Sequence, residues 1–187
     1  MSFNLKSELA SRGALLEGHF KLSSGRHSNR FVQKFRILED PKLVEPVARE
    51  IADRFRDENV TVVMSAAIGG IILGYEVGRA LGTKAMFVEK EDGVPKLRRS
   101  FTLTRRDRVL VVEDVVTTGM SVREVLDVVR GQGASVAGIG VIVRRSPVDF
   151  GFATYALLEL PIESHDPAEC PQCANGEPIT DPGSRRA

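Results

Sequence analysis

Two adjacent acids followed by small and hydroxylated residues mark the stretch VLVVEDVVTTGMS, residues 109–121. Glu113 and Asp114 close a β-branched block, where a carboxylate is costly to bury unless donors satisfy it, and vicinal sugar hydroxyls are such donors. After Val115 and Val116, the turn Thr117, Thr118, Gly119, Met120, Ser121 offers hydroxyls and an uncrowded backbone, which suits a phosphate monoester held by N–H groups. Acids and turn together point to a phosphorylated ribose. The stretch has no Gly-Lys-Ser/Thr, which disfavours nucleoside triphosphate hydrolysis. Ser121 with Glu124 would also serve as a helix capping box and Gly119 as a plain turn. The ligand reading rests on the whole combination of strand, acid pair, turn and helix.

Residues 109–112 have the length and β-branching of a buried parallel strand, and Val122, Val125, Leu126 and Val129 carry helical spacing from Ser121 onward. The turn therefore lies at a strand's carboxyl end, facing the positive end of a helix dipole. Residues 61–82 repeat this logic, with a strand at 62–64 and a loop at Ser65, Ala66, Ala67, Ile68, Gly69 and Gly70. A helix follows, with Ile71, Ile72, Tyr75, Val77, Gly78 and Leu81 as its expected buried face and Gly82 as its end. Right-handed crossovers put both loops on one edge of a parallel sheet. Further strands are expected at 84–88, 137–143 (ending in Arg144 and Arg145) and 155–160. Residues 4–12 form a short helix with Leu5 and Leu9 on one face. Another runs from Asp40-Pro41 through Phe55, starting late or kinking at Pro46. Residues 20–34 read as a hairpin around Ser23-Ser24-Gly25-Arg26, whose Arg26, His27 and Arg30 would otherwise be a solvated edge. The polar stretch 89–100 reads as a loop or lid.

The chain of 187 residues suffices for one domain, and its 26 basic against 25 acidic residues give no support for a nucleic-acid surface. No apolar run approaches the ~20 residues of a membrane span, and the N-terminus lacks signal-peptide order, so a cytoplasmic location is expected. Two cysteines, Cys170 and Cys173, are too few for a disulfide framework.

The stretch VVEDVVTTGMS resembles the 5-phosphoribosyl 1-diphosphate (PRPP) signature of type I phosphoribosyltransferases. With LSSGRHSNRF, AAIGG, EKEDGVPKLRRSF and IVRR, most of residues 15–160 is similar to the orotate phosphoribosyltransferase family. The resemblance implies an α/β fold with a central, mostly parallel sheet flanked by helices. It also implies a small N-terminal hairpin and helix hood (about 1–38 plus the C-terminal segment) over a core of about 39–160, in a single domain. It implies that Glu113 and Asp114 hold the ribose hydroxyls of PRPP, that residues 115–121 hold its 5-phosphate, and that residues 66–70 hold the diphosphate. Thr117, Arg145, Phe31 and the Arg26 hairpin would hold orotate. Lys90 would be the mobile-loop lysine that reaches the partner subunit's active site in a homodimer, with Lys96, Arg98 and Arg99 lending charge. Mg2+ would be held mainly by PRPP and water, with no direct protein ligand. The chain departs from the pattern at Ser23 and Glu89, where many relatives have lysine and arginine, and it lacks their loop histidine. Arg26, Lys96 and Arg99 are the candidate substitutes.

A purine phosphoribosyltransferase and a regulator that senses PRPP are the rival functions. His19 and His27 are expected on the surface. The tail CPQCANGEPITDPGSR also admits a zinc site, with Cys170, Cys173 and His165 as ligands and Asp166 or Glu169 completing it. Four ligands are wanted and a second C-x-x-C is lacking. A redox C-x-x-C fits less well, since it does not open a helix after a strand.

Overall fold

The protein is described here from a computed structural model, over residues 4–22 and 24–182. Helix α1 (Leu5–Ser11) begins where the Asn4 side chain accepts from Ser7 N–H, and it buries Leu5 and Leu9. Strands β1 (Leu15–Lys21) and β2 (His27–Val32) pair as an antiparallel hairpin, and the short α2 (Phe35–Leu38) follows. Ser23, the first residue of the expected turn, lies outside the described residues. Helix α3 (Pro41–Arg54) starts at once, capped by Asp40, and runs through Pro46. Proline that near the start costs one backbone bond, and the buried stripe of Leu43, Val44, Val47, Ala48, Ile51 and Ala52 holds the helix together.

The core sheet is built from β3 (Val62–Ala66), α4 (Gly69–Leu81), β4 (Lys84–Glu91), β5 (Val94–Leu97), β6 (Arg108–Val116), α5 (Met120–Gly131), β7 (Ser135–Arg144) and β8 (Thr154–Glu159). Among the described residues the sheet order is β5-β4-β3-β6-β7-β8, parallel except for β5. Strand β6 sits inside it, with Leu110 and Val112 in the core under α3 and α4, and Val109 and Val111 in the core under α5. Burial on both faces explains its unbroken apolar run. Each of these aliphatic side chains contributes about 1.5–3 kcal/mol by its burial, so a polar residue in this strand is costly. No helix of the described residues is long and apolar enough to cross a membrane.

Besides the helix start at Pro41, three further expectations are corrected. Residues 89–100 are not simply a loop, because β4 continues to Glu91 and turns through Asp92 and Gly93, both at positive φ, into β5. That is a two-residue hairpin with the Asp-Gly pair its backbone demands, and its alternation is polar because it is an edge. Only about residues 98–106 are irregular. The buried face of α4 is Leu73, Gly74, Val77 and Gly78, whereas Ile72 and Tyr75 are exposed, Tyr75 by 65%. Close packing selects the glycine face: a Cβ at Gly78 would stand 3.1 Å from Ala85 Cβ on β4. Finally, His19 and His27 are buried, because the C-terminal segment returns over the hairpin. Backbone bonds join His27 to His165 and Lys21 and His19 to Thr180. The segment includes the short helix α6 (Pro171–Ala174).

Candidate active site

The carboxyl ends of β6 and β7 open beneath the hairpin into a cleft of about 470 Å³. Its floor is the acid pair. Strand β6 continues through Glu113 and Asp114 to Val116, laddered on β7 as far as Arg144, so the acids sit inside the strand rather than after it. Both are buried. Asp114 Oδ1 accepts from Val115 N–H at 2.6 Å, Glu113 Oε1 accepts from Asp114 N–H at 3.1 Å, and Lys34 Nζ lies 2.8 Å from Asp114 Oδ2. Burial, and then the charge of Asp114, push the Glu113 carboxyl up to about 8.

From Val116 the chain turns through Thr117, Thr118 and Gly119 into α5. Gly119 stands at φ +77°, and a Cβ there would be 2.7 Å from the Phe150 ring, so both the backbone angle and the close approach require glycine. No side chain caps α5. Ser121 does not form the capping box, and Glu124 pairs with Lys90 at 2.7 Å instead. The first-turn N–H groups of α5 thus remain directed at the cleft edge, with the exposed hydroxyl-bearing Thr117, Thr118 and Ser121 around them. Val115 and Met120 also line the cleft.

The 66–70 segment adjoins this floor from β3. Ala67 and Ile68 are exposed and joined by a cis peptide, while Gly69 and Gly70 open α4 rather than remaining in the loop. A Cβ on Gly69 would overlap the Asp114 carboxylate and the Lys34 ammonium group, so this segment touches the acid pair. On the other side Arg145, just past β7, is buried and lines the cleft. Its Nε has no hydrogen-bond partner and burial lowers its pKa. Phe31 and Arg26 close the cleft from the hairpin. Arg26 is held by Ser164 Oγ at 3.0 Å and Asp166 at 2.8 Å, and Phe31 stacks obliquely on Phe20. Arg30 stays at the rim, paired with Glu17.

Glu113, Asp114, residues 115–121, Arg145, Phe31 and Arg26 therefore meet in one cleft, with residues 66–70 beside it. Lys90 and Lys96 do not join them within this chain: Lys90 pairs with Glu124 and Lys96 with Glu91. Among the candidate substitutes for the family's missing charges, Arg99 is engaged by Glu89 in a two-pronged pair, at 2.8 and 2.9 Å. Arg98 pairs with Glu91. The residue that sequence reasoning missed is Lys34. The one available signal was the need of two adjacent buried acids for a counter-ion.

A phosphoribosyl transferase domain model matches residues 35–147. The orotate phosphoribosyltransferase of Pelotomaculum thermopropionicum is 52% identical over 176 residues, 93% of each chain. That of Chlorobaculum parvum is 49% identical over 177 residues, 94% of this chain and 92% of the relative. The chain belongs to the orotate phosphoribosyltransferase family. Among solved structures, the orotate phosphoribosyltransferase of Aeropyrum pernix superposes with a TM-score of 0.70 at 26% identity, over 83% of this chain and 93% of that one. The adenine phosphoribosyltransferase of Rhodothermus marinus reaches 0.65 at 18% identity, over 84% and 100%, a likeness of fold alone.

Proposed function

We propose that this orotate phosphoribosyltransferase carries out its reaction in the cleft between α5 and the hairpin. There, PRPP and orotate give orotidine 5'-monophosphate and diphosphate, a step of de novo UMP synthesis. In this reading Glu113 and Asp114 accept from the ribose hydroxyls, while the turn at 117–121 with the N-terminus of α5 holds the 5-phosphate. Residues 66–70 hold the diphosphate, and Arg145, Thr117, Phe31 and Arg26 hold orotate. The observation that carries it is the buried Arg145 guanidinium, with an unpartnered Nε, on the same cleft as a buried acid pair and an uncapped helix. A carboxylate ligand satisfies that guanidinium, whereas a neutral purine base leaves it uncompensated.

Lys34 takes the place of the missing family lysine as the positive group nearest the sugar. When PRPP arrives, its ammonium can pass from Asp114 to a substrate phosphate, freeing Asp114 for hydroxyls. The donor set of carboxylates and hydroxyls is hard and too sparse to cage a cation, which fits Mg2+ held mainly by substrate oxygens and water with no direct protein ligand. When bound, the ion supplies neutralising charge to the diphosphate. The chain's own part is to fix the sugar, cover it with the hairpin and keep water from the reacting carbon.

Lys90 serves the partner subunit of a homodimer, where a closing cation stabilises the departing diphosphate. Two features support this: Lys90 lies on an exposed hairpin and does not line its own cleft, and Ile72 and Tyr75 form an exposed apolar face along α4 suited to a second copy. The reading takes residues 1–187 as one domain, working in the cytoplasm with neither cysteine in a disulfide. PRPP- and Mg2+-dependent loss of orotate absorbance tests it, with adenine, guanine and hypoxanthine as competing bases. Consumption of a purine in preference to orotate would overturn the assignment of Arg145.

A further inference from the structure

Away from the cleft, the hood gathers four side chains with soft or borderline ligand atoms. His19 comes from β1, His27 from β2, and Cys170 and Cys173 from the returning C-terminal segment, more than 140 positions later in the sequence. Nε2 of His19, Nδ1 of His27 and the two Sγ atoms all lie within 4.8 Å of one another. His19 Nε2 is 3.2 Å from His27 Nδ1, 3.4 Å from Cys170 Sγ and 3.6 Å from Cys173 Sγ, and Cys173 Sγ is 3.2 Å from His27 Nδ1.

Hydrogen bonding does not account for this convergence. A ring nitrogen has either one hydrogen or one lone pair, so His19 Nε2 cannot satisfy three partners. His19 Nδ1 lies 3.0 Å from the carbonyl oxygen of Glu177, which can only accept, so Nδ1 carries the proton and the Nε2 lone pair points into the cluster. The separations are instead those between ligands around a single ion. Zn–N near 2.0–2.1 Å and Zn–S near 2.3 Å in tetrahedral geometry put ligand atoms about 3.3–3.8 Å apart. The Glu177 carbonyl is the outer hydrogen-bond partner that a metal-bound imidazole ordinarily has.

We propose that His19, His27, Cys170 and Cys173 bind one structural Zn2+, a Cys2His2 site that staples the C-terminal segment to the hairpin. It differs from the site that spacing alone suggested. His165 stands outside the cluster, its Nε2 3.9 Å from Glu163, and Asp166 is engaged by Arg26. Two thiolates and two imidazoles select zinc over Mg2+ or Ca2+, and four protein ligands leave no open position for catalysis. Cys170 and both histidines are buried while Cys173 is exposed, which gives the ion an entry path. His27 directly follows Arg26, so the staple fixes the start of β2, the strand that carries Phe31 at the cleft edge. The site stands on geometry that no part of the substrate assignment uses.

The test is metal analysis of the full-length protein, expressed with zinc and exchanged into metal-free buffer under reducing conditions. About one zinc per chain is expected. Reconstitution of stripped protein with Co2+ should give the intense visible bands of a tetrahedral site and a thiolate-to-cobalt charge-transfer band. Chelation should lower the melting temperature of the wild type, measured without substrates, to that of C173S, and should leave C173S unchanged. Zinc absent from the wild type together with no tetrahedral cobalt spectrum would overturn the proposal, as would full zinc content in an H19A/C173S double variant. If the variants do not fold, the wild-type cobalt spectrum decides alone.

Discussion

Replacing Glu113 by glutamine removes one titration from the floor of the cleft with almost no change of shape. Glu113 is 7% exposed, and burial together with the neighbouring Asp114 charge pushes its carboxyl up to about 8. In the unfolded chain a glutamate ionises near ~4.3. Between these values the native protein keeps a proton that the unfolded chain releases, so wild-type stability falls as pH rises through that window. Each pH unit costs about 1.4 kcal/mol. From pH 5 to 7.5 the loss amounts to about 3 kcal/mol, and it levels off above the folded value near 8. Glutamine carries no such proton. Urea unfolding of the wild type and Glu113→Gln at constant ionic strength should therefore show the variant gaining about 3 kcal/mol on the wild type between pH 5 and 7.5. A difference between the two proteins that stays flat within about 0.5 kcal/mol across that range would refute the burial of a neutral Glu113.

Asp114→Asn weakens acceptance from the ribose hydroxyls and releases Lys34. PRPP KM should rise roughly tenfold or more while orotate KM moves little; wild-type PRPP kinetics would sink the ribose assignment. Lys90→Ala should lower kcat by about 10²-fold with a smaller effect on PRPP binding, on the scale of losing one preorganised donor. An unchanged kcat would remove Lys90 from the chemistry. For Arg145→Ala, the loss of a charge-assisted contact worth about 1.5–3 kcal/mol should raise orotate KM roughly 10- to 150-fold at nearly constant PRPP KM. Equal losses for both substrates would point to a collapsed cleft instead.

Elements whose signal is local were legible in the sequence. The β-branched block of β6, the α5 stripe, the helix start at Asp40-Pro41 and the strand leading to Arg145 each rest on periodicity or on a single local start signal. Where the outcome depends on packing partners, that signal is insufficient. Helix α4 is apolar nearly all round, so Ile72 and Tyr75 look as buried as Leu73. What selects the inner face is a run of glycines at positions 70, 74 and 78, which marks a close approach to Ser65 and Ala85. The Asp92-Gly93 turn was visible, but its flanking residues alternate with charges as an edge strand does, and they read as a loop. Lys34 and the His19, His27, Cys170 and Cys173 cluster depend on chain segments brought together only by the hairpin and the returning tail. The C-x-x-C spacing marks Cys170 and Cys173, but local spacing does not show that His19 and His27 join them.

In the proposed function, one cleft holds the sugar phosphate on the turn after β6 and the pyrimidine against Arg145. The crystal structure of the protein with orotidine 5'-monophosphate tests it most directly. The phosphate is expected on the Thr117 to Ser121 turn, the ribose hydroxyls at Glu113 and Asp114, and the pyrimidine carboxylate on Arg145. A nucleotide bound with its phosphate elsewhere, or with its base away from Arg145, would contradict it.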